Sequence, residues 1–189
     1  VTARATLEQA LYYHGQVAVA LNAVADCPQP TVALIQGACI GGGLEIAGAC
    51  DLRICNESAC FGAPINRLGF SMYPGEMESL LKLAGAAVLK EILLEGRILN
   101  ASEAYEKGLV TRVVPDSQVV DEAYASARRI CAGAPLVAGW HKQWIRRLQS
   151  GNPLDDTEKA ASFAFLDTED YREGLAAFFE KRKPAFKAR

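Results

Sequence analysis

The sequence lacks the features that mark several common classes of protein. No run approaches the roughly 20 apolar residues that a bilayer-spanning helix needs, and no charged-then-apolar leader opens the chain. It contains no Cys-x-x-Cys pair and only two histidines, so the ligand spacing of a zinc finger is missing. We therefore expect a soluble, cytoplasmic protein that has no membrane contact and binds no metal.

Neither sign of charge is in large excess. Lysine and arginine number 20 against 22 aspartates and glutamates, which leaves a net charge of −2. A nucleic-acid-binding domain usually carries a basic excess, so we expect no nucleic-acid partner, although small phosphate-bearing ligands remain compatible. The six cysteines are interpreted as small buried residues of a protein from a reducing compartment.

The spacing of the apolar residues changes along the chain. With 189 residues, 50 % of them apolar, the chain can bury one core and carry an appendage. Short strands alternate with helices in residues 1–75, whereas helical periodicity dominates in residues 76–189. These patterns predict an α/β core followed by a mostly helical region. Helices are predicted at 76–84, 86–95, 101–107, 117–132, 135–149, 154–167 and 169–182, with one strand at 110–114.

A glycine-rich corner is the most informative local feature. A buried strand at 31–35 leads to Gly41, Gly42 and Gly43, and a short apolar helix follows at 44–50. Free N–H groups and the positive end of the helix dipole attract negative charge at such a corner. Neither the Gly-x-Gly-x-x-Gly fingerprint nor the Gly-Lys-Ser/Thr of a P-loop fits these residues. An oxyanion site therefore remains as the functional interpretation, and a tight turn that needs positive φ is the structural one.

Glu45 stands in the first turn of this short helix. A carboxylate there gains from the helix dipole, which is a purely structural explanation. The functional alternative is a general base held beside the oxyanion site. Because Gly-x-Ser-x-Gly is missing, a nucleophile elbow is not indicated. The chemistry that these residues favour is proton transfer next to a stabilised enolate.

Further motifs follow the glycine corner in a specific order. They are Phe61-Gly62-Ala63-Pro64, Leu68-Gly69, Gly96-Arg97-Ile98, Gly108-Leu109-Val110 and a segment at 172–184 that begins Arg-Glu-Gly. With these motifs, nearly the whole chain resembles the enoyl-CoA hydratase/isomerase (crotonase) superfamily. The resemblance implies an α/β fold with a crotonase-like ββα spiral core, of which residues 1–75 would be the C-terminal part. Residues 76–189 would then form the helical trimerisation region, in a homotrimer or a hexamer.

The resemblance also implies roles for single residues. Gly42 matches the family's oxyanion-hole donor to the thioester oxygen, and Glu45 matches the first catalytic glutamate of hydratases. The second hydratase glutamate follows the proline of Phe-Gly-x-Pro, a position occupied here by Ile65, which can neither give nor take a proton. Glu76 and Glu78 are possible alternative acids, although acids at a helix start are often merely solvated.

The beginning of the sequence bears on the completeness of this site. The chain starts at Val1 inside a helical pattern, and we expect that it is part of a longer protein. In the family, the second oxyanion donor and much of the grip on coenzyme A come from strands upstream of the residue that matches Val1. An Ala-Gly-x-Asp-like turn upstream of Val1 would therefore complete the oxyanion pair.

The basic C-terminal segment, 180–189, has two interpretations. It is either a solvated terminus or a contact for phosphate. In the family, the residues that match Phe178 and Lys181 help to hold coenzyme A bound to a neighbouring subunit. Coenzyme A is part of the substrate, and no other cofactor is implied. We therefore predict an enoyl-CoA hydratase-like enzyme that adds water across the 2,3 double bond of an acyl-CoA thioester. The alternatives are an enoyl-CoA isomerase and a catalytically silent acyl-CoA-binding homologue.

Overall fold

Helices and strands alternate in the first part of the chain, and the last part is helical. The computed structural model describes residues 5–189, which divide into one unit with residues 5–27 and Thr31–Tyr124 and another with Pro28–Pro30 and Ala125–Arg189. The helices are α1 (Leu7–Ala25), α2 (Gly42–Ala49), α3 (Pro74–Leu94), α4 (Ala101–Glu106), α5 (Val119–Cys131), α6 (Pro135–Leu148), α7 (Asp156–Ala161) and α8 (Glu169–Glu180). The strands are β1 (Val32–Ile35), β2 (Ala38–Ile40), β3 (Leu52–Asn56), β4 (Cys60–Gly62), β5 (Ile98–Asn100) and β6 (Arg112–Val114). None of the described helices is long and apolar enough to cross a membrane.

The strands of the first unit form two small sheets. One has the order β1-β3-β6 and is parallel throughout, with Ile35 opposite Cys55. In the other, β2 and β4 are parallel and β5 runs antiparallel to β4, with Phe61 opposite Leu99. Parallel neighbours require a crossover connection, and α2 lies in the crossovers from β1 to β3 and from β2 to β4. The topology therefore places the start of α2 directly after the end of β2.

The main core lies between these sheets and the helices that cover them. Phe61 and Leu99 from the paired strands are fully buried together with Leu44 of α2 and Leu80 of α3. Helices α2 and α3 approach closely at Gly48, where a Cβ atom would lie 2.7 Å from Leu80 Cδ2. A glycine at this position thus permits the close packing of the two helices.

Most predicted elements are present, and two strands were missed. The predicted helices at 76–84 and 86–95 are confirmed as the two segments of α3, which meet at Gly85 with φ 77° and ψ 168°. Strands β2 and β5 were not predicted, because each three-residue segment is directly followed by a glycine turn or a helix start and gives no separate pattern. The helix predicted at 154–167 is shorter, since α7 ends at Ala161 and a single 3-10 turn follows at Ala164–Asp167.

The unit that contains the strands extends beyond the boundary expected at residue 75. It reaches Tyr124, because β5 pairs with β4 and β6 pairs with β3. These pairings join residues more than 35 positions apart, and such long-range pairing leaves no local signal in the sequence. The separate helical unit therefore begins within α5, at Ala125.

Candidate active site

The glycine corner is held by an unusual backbone conformation. Gly41 has φ 56° and ψ −122°, and residues with a Cβ atom rarely adopt this positive φ. Its N–H donates to the carbonyl oxygen of Gly62 at 2.9 Å, which attaches the corner to the end of β4. Its own carbonyl accepts from the N–H groups of Leu44 and Glu45 at 2.9 and 3.1 Å. The turn is therefore fixed on both sides.

Two N–H groups at the start of α2 remain available to a ligand. Within residues 5–189, the N–H groups of Gly42 and Gly43 have no protein acceptor, as is normal for the first positions of a helix. Both residues are exposed, and a Cβ atom at either position would meet no heavy atom within 4 Å. The space in front of these donors is thus open, and the helix dipole favours a negatively charged group there.

Glu45 lies three residues after Gly42 in the same helix. Its side chain is buried, with only 9 % of the residue exposed, and its helical neighbours Leu44 and Ala47 belong to the core. Residues three apart lie within one turn of a helix, so Glu45 lies within one turn of the open N–H of Gly42. This is the arrangement that an oxyanion donor with an adjacent base requires.

A buried arginine secures the other end of α2. The Arg53 guanidinium donates to the carbonyl oxygens of Cys50 at 2.6 Å, Ala47 at 3.4 Å and Leu109 at 2.9 Å. Two of these acceptors lie at the C-terminal end of α2, where the helix dipole is negative. Burial lowers the pKa of Arg53. The sequence did not predict this role of Arg53, since a lone arginine in a strand gives no local signal of such contacts.

The cysteines do not supply a nucleophile to this corner. Burial raises the pKa of Cys39 and of Cys55 to about 11, so both thiols are protonated at neutral pH. All six cysteines are free, but only Cys39 and Cys55 are buried, and Cys131 is exposed. The expectation of six buried cysteines was therefore wrong for the other four, which lie in loops, at element ends or on the helical surface.

The two possible alternative acids at the start of α3 have different surroundings. Glu76 is buried, with 7 % of the residue exposed, and its Oε1 lies 2.7 Å from Nδ1 of His14 in α1. The Glu78 side chain is 65 % exposed and pairs with Lys82 Nζ at 2.6 Å on the same helix. Ile65, which the family resemblance aligns with the second glutamate of hydratases, lies half-buried in the 3-10 turn Ile65–Leu68 and packs against the core.

Phe178 and Lys181 lie together at the end of α8. Phe178 is 78 % exposed, and Lys181 ends the helix in a left-handed conformation with φ 54°. The basic segment around them is partly neutralised within the chain, because Arg182 pairs with Glu173 at 2.5 Å and Arg189 pairs with Glu169 at 2.8 Å. Arg182 also lowers the pKa of the Glu173 carboxyl to about 2. Lys181 is therefore an exposed cation. The segment that follows it is bound to Glu169 and Glu173 of α8 by ion pairs.

Metal ligation has no structural support in the part of the chain that the structure describes. No group of three or more His, Cys, Asp or Glu side chains there could hold a metal ion.

Comparison with known proteins places the chain in a family. The sequence profile of the enoyl-CoA hydratase/isomerase family matches residues 1–189. The "Probable enoyl-CoA hydratase 2, mitochondrial" of Arabidopsis thaliana is 41 % identical over 159 residues, which are 83 % of this chain and 53 % of that protein. The "Delta(3,5)-Delta(2,4)-dienoyl-CoA isomerase, mitochondrial" of Dictyostelium discoideum is 33 % identical over 170 residues, 88 % of this chain and 58 % of that protein. The chain thus spans little more than half the length of these relatives.

Solved structures agree with the sequence comparison. An enoyl-CoA hydratase/carnithine racemase from Magnetospirillum magneticum has a TM-score of 0.97 and 49 % identity over 100 % of this chain and 70 % of that chain. An enoyl-CoA hydratase from Bacillus anthracis has a TM-score of 0.88 and 34 % identity, with 100 % of this chain and 75 % of that chain covered. The α/β fold is therefore that of the crotonases, and the chain belongs to the enoyl-CoA hydratase/isomerase family.

Proposed function

We propose that the protein containing this chain is an enoyl-CoA hydratase. The observation that carries the proposal is the single turn of α2 that presents the open N–H of Gly42 and the buried carboxylate of Glu45. Glu45 takes a proton from water while the hydroxyl oxygen adds to the β-carbon of the enoyl thioester. The electron pair of the double bond moves toward the thioester oxygen, where the Gly42 N–H stabilises the developing enolate. A proton delivered to the α-carbon completes the addition of water.

The proton for the α-carbon comes from Glu76 in this proposal. Hydratases of the family use a second glutamate, and Ile65 cannot replace it. Glu76 is a better substitute than Glu78, because Glu76 is buried and its Oε1 lies 2.7 Å from Nδ1 of His14, whereas Glu78 is exposed and paired with Lys82. Glu45 and Glu76 then divide the work as base and acid, like other carboxylate pairs in enzymes.

The assignment of Glu76 as the second acid is tested by removing the carboxylate at position 76 and introducing one at position 65. Glu76→Gln should lower crotonyl-CoA hydration about 100-fold, within the usual range for a positioned acid or base. Adding Ile65→Glu to that variant should restore turnover at least about tenfold, because it returns a carboxylate to the family's second position. Turnover is followed as loss of the conjugated thioester absorbance.

Ile65→Gln in the same background is the matched control, since glutamine fills the same space and gives no acidic proton. Equal rescue by glutamine would show that polarity, not proton transfer, is what position 65 supplies. Full activity of Glu76→Gln together with inactive Glu78→Gln would move the second acid to Glu78.

Two other functions give different results in the same assay. The Dictyostelium relative is named a dienoyl-CoA isomerase, and an isomerase needs only one base to move a proton between carbons. Proton NMR of the product separates the two reactions, because hydration creates a 3-hydroxyacyl group and isomerisation shifts the double bond. A protein that binds acyl-CoA and turns over no enoyl-CoA would be the silent homologue.

Lys181 and Phe178 are proposed to contact coenzyme A. Replacing Lys181 with glutamate should weaken coenzyme A binding about three- to tenfold, since it reverses an exposed charge near the phosphates. Isothermal calorimetry at low and at physiological salt measures the change. Lys159→Glu is the control, because Lys159 is an exposed lysine of α7 that pairs with Asp156. Equal affinity of the Lys181→Glu variant and the parent would identify the segment as a solvated terminus.

We also propose a homotrimer or hexamer in the cytoplasm. Phe178 and Phe179 are both more than three-quarters exposed, and adjacent aromatic side chains of this kind commonly become covered in an assembly. The six free thiols support a reducing compartment.

A further inference from the structure

The contact between His14 and Glu76 joins α1, which buries few of its side chains, to α3. Helix α1 buries only Leu21 among its described residues, and its apolar side chains Leu7 and Leu11 are largely exposed. The side chains of His14 and Glu76 are nevertheless only 16 % and 9 % exposed. A buried carboxylate with one specific polar partner is costly unless the hydrogen bond is well formed, and the 2.7 Å distance meets that condition.

The imidazole ring of His14 is fixed in orientation. It stacks on Tyr73 with ring centroids 4.7 Å apart and planes inclined by 18°. Tyr13 meets it edge-on, with centroids 5.5 Å apart and an angle of 88°. The backbone of Glu76 is fixed as well, since its N–H donates to the carbonyl oxygen of Tyr73 at 2.9 Å. The pair is therefore held at both ends in one geometry.

The pair belongs to the helices that surround the glycine corner. Helix α1 packs on α2 and on α3, and α2 packs on α3 where Gly48 meets Leu80. Glu76 precedes Leu80 by one turn, and Glu45 precedes Gly48 by less than one turn. Each of these offsets is about 6 Å or less along its own helix, so Glu76 and Glu45 both lie within about one turn of the contact between α2 and α3.

We propose that His14 is a positioning residue for Glu76 in proton transfer to the α-carbon, an inference that rests on the proposed hydratase function. His14 Nδ1–H donates to Glu76 Oε1 and so directs the labile proton to Oε2. In the transfer, the Oε2–H bond breaks and the C–H bond at the α-carbon forms. The carboxylate left behind keeps the hydrogen bond from His14, and Glu45 holds the proton taken from water. Proton exchange with solvent then returns Glu45 to the carboxylate and Glu76 to the acid before the next turnover, so one water molecule is consumed in all.

Variants of His14 separate this role from a purely structural one. His14→Phe keeps the stacking on Tyr73 and removes the hydrogen bond, and kcat for crotonyl-CoA should fall about 10- to 100-fold with KM changed less than about threefold. His14→Asn places an amide N–H near the position of Nδ1, and it should restore kcat to within about threefold of the parent. Lys90→Ala, at an exposed lysine of the same helix, is the matched control and should not change kcat.

The decisive measurement is the same substitution in the Glu76→Gln background. If His14 acts through Glu76, His14→Phe should cause no further loss of kcat there, since effects of two residues that act as a unit are not additive. A structural clamp would instead lower the melting temperature of His14→Phe and leave kcat of the folded protein unchanged. An equal loss of kcat in both backgrounds would also overturn the proposal.

Failure of the proposed hydratase function gives a different pattern of results from failure of the role of His14. If the parent turns over no enoyl-CoA, the hydratase function and the role of His14 both fail. If the parent is active and Glu45→Gln is impaired, but the effects of positions 14 and 76 are additive or absent, only the role of His14 fails. Melting curves of every variant, with His14→Asn as the least disruptive one, establish that the comparison is made between folded proteins.

Discussion

Replacing Glu45 with glutamine is expected to lower hydration of crotonyl-CoA roughly 10²- to 10⁴-fold. Glutamine has nearly the same shape as glutamate, so the packing of α2 should be retained while the only base of the helical turn is lost. Steady-state kinetics on the protein that contains this chain measures the effect, and circular dichroism with a melting curve checks the fold. KM should change little, because in the proposed site the N–H of Gly42, and not Glu45, binds the substrate oxygen.

Glu57→Gln is the matched control for this experiment. Glu57 is an exposed glutamate directly after β3, in the same unit as Glu45, and its replacement should leave kcat unchanged. Full activity of Glu45→Gln would show that another group takes the proton from water. The site would then have to be reassigned, with the start of α3 as the next place to search.

Replacing Arg53 with methionine is expected to lower the free energy of unfolding by about 3 kcal/mol. Methionine has a similar length but donates no hydrogen bond, so the carbonyl oxygens of Ala47, Cys50 and Leu109 would lose a buried charged donor. Urea unfolding followed by circular dichroism gives the change. Two of these carbonyl oxygens lie at the C-terminal end of α2. The substitution should therefore mainly destabilise the helix that contains Gly42 and Glu45.

Arg112→Met is the control for charge and size in the neighbouring strand. Arg112 pairs with Glu122, and its side chain is 43 % exposed, so its replacement should cost about 1 kcal/mol or less. Equal destabilisation by the two substitutions would show that the buried hydrogen bonds of Arg53 contribute nothing beyond an ordinary surface ion pair.

The glycine corner follows from local features of the sequence. A strand, three glycines and a short apolar helix are consecutive in the chain, so their geometry follows from local rules: glycine permits positive φ at Gly41, and a helix start leaves N–H groups free at Gly42. Glu45 is part of the same turn, and its place beside the corner needs no distant contact. The break in α3 is equally local, since the two helical periodicities already separate at Gly85.

The surroundings of this corner, in contrast, depend on contacts between distant parts of the chain. The sequence presents Glu76 and Glu78 as equivalent acids of one helix start, and their difference arises because α1, more than 60 residues earlier, brings His14 to one of them and not to the other. The extension of the strand-containing unit to Tyr124 likewise depends on the pairing of β5 and β6 with distant strands. The burial and the partners of a polar side chain are set by contacts between residues far apart in the chain. Such contacts leave no periodic pattern in the sequence around either residue.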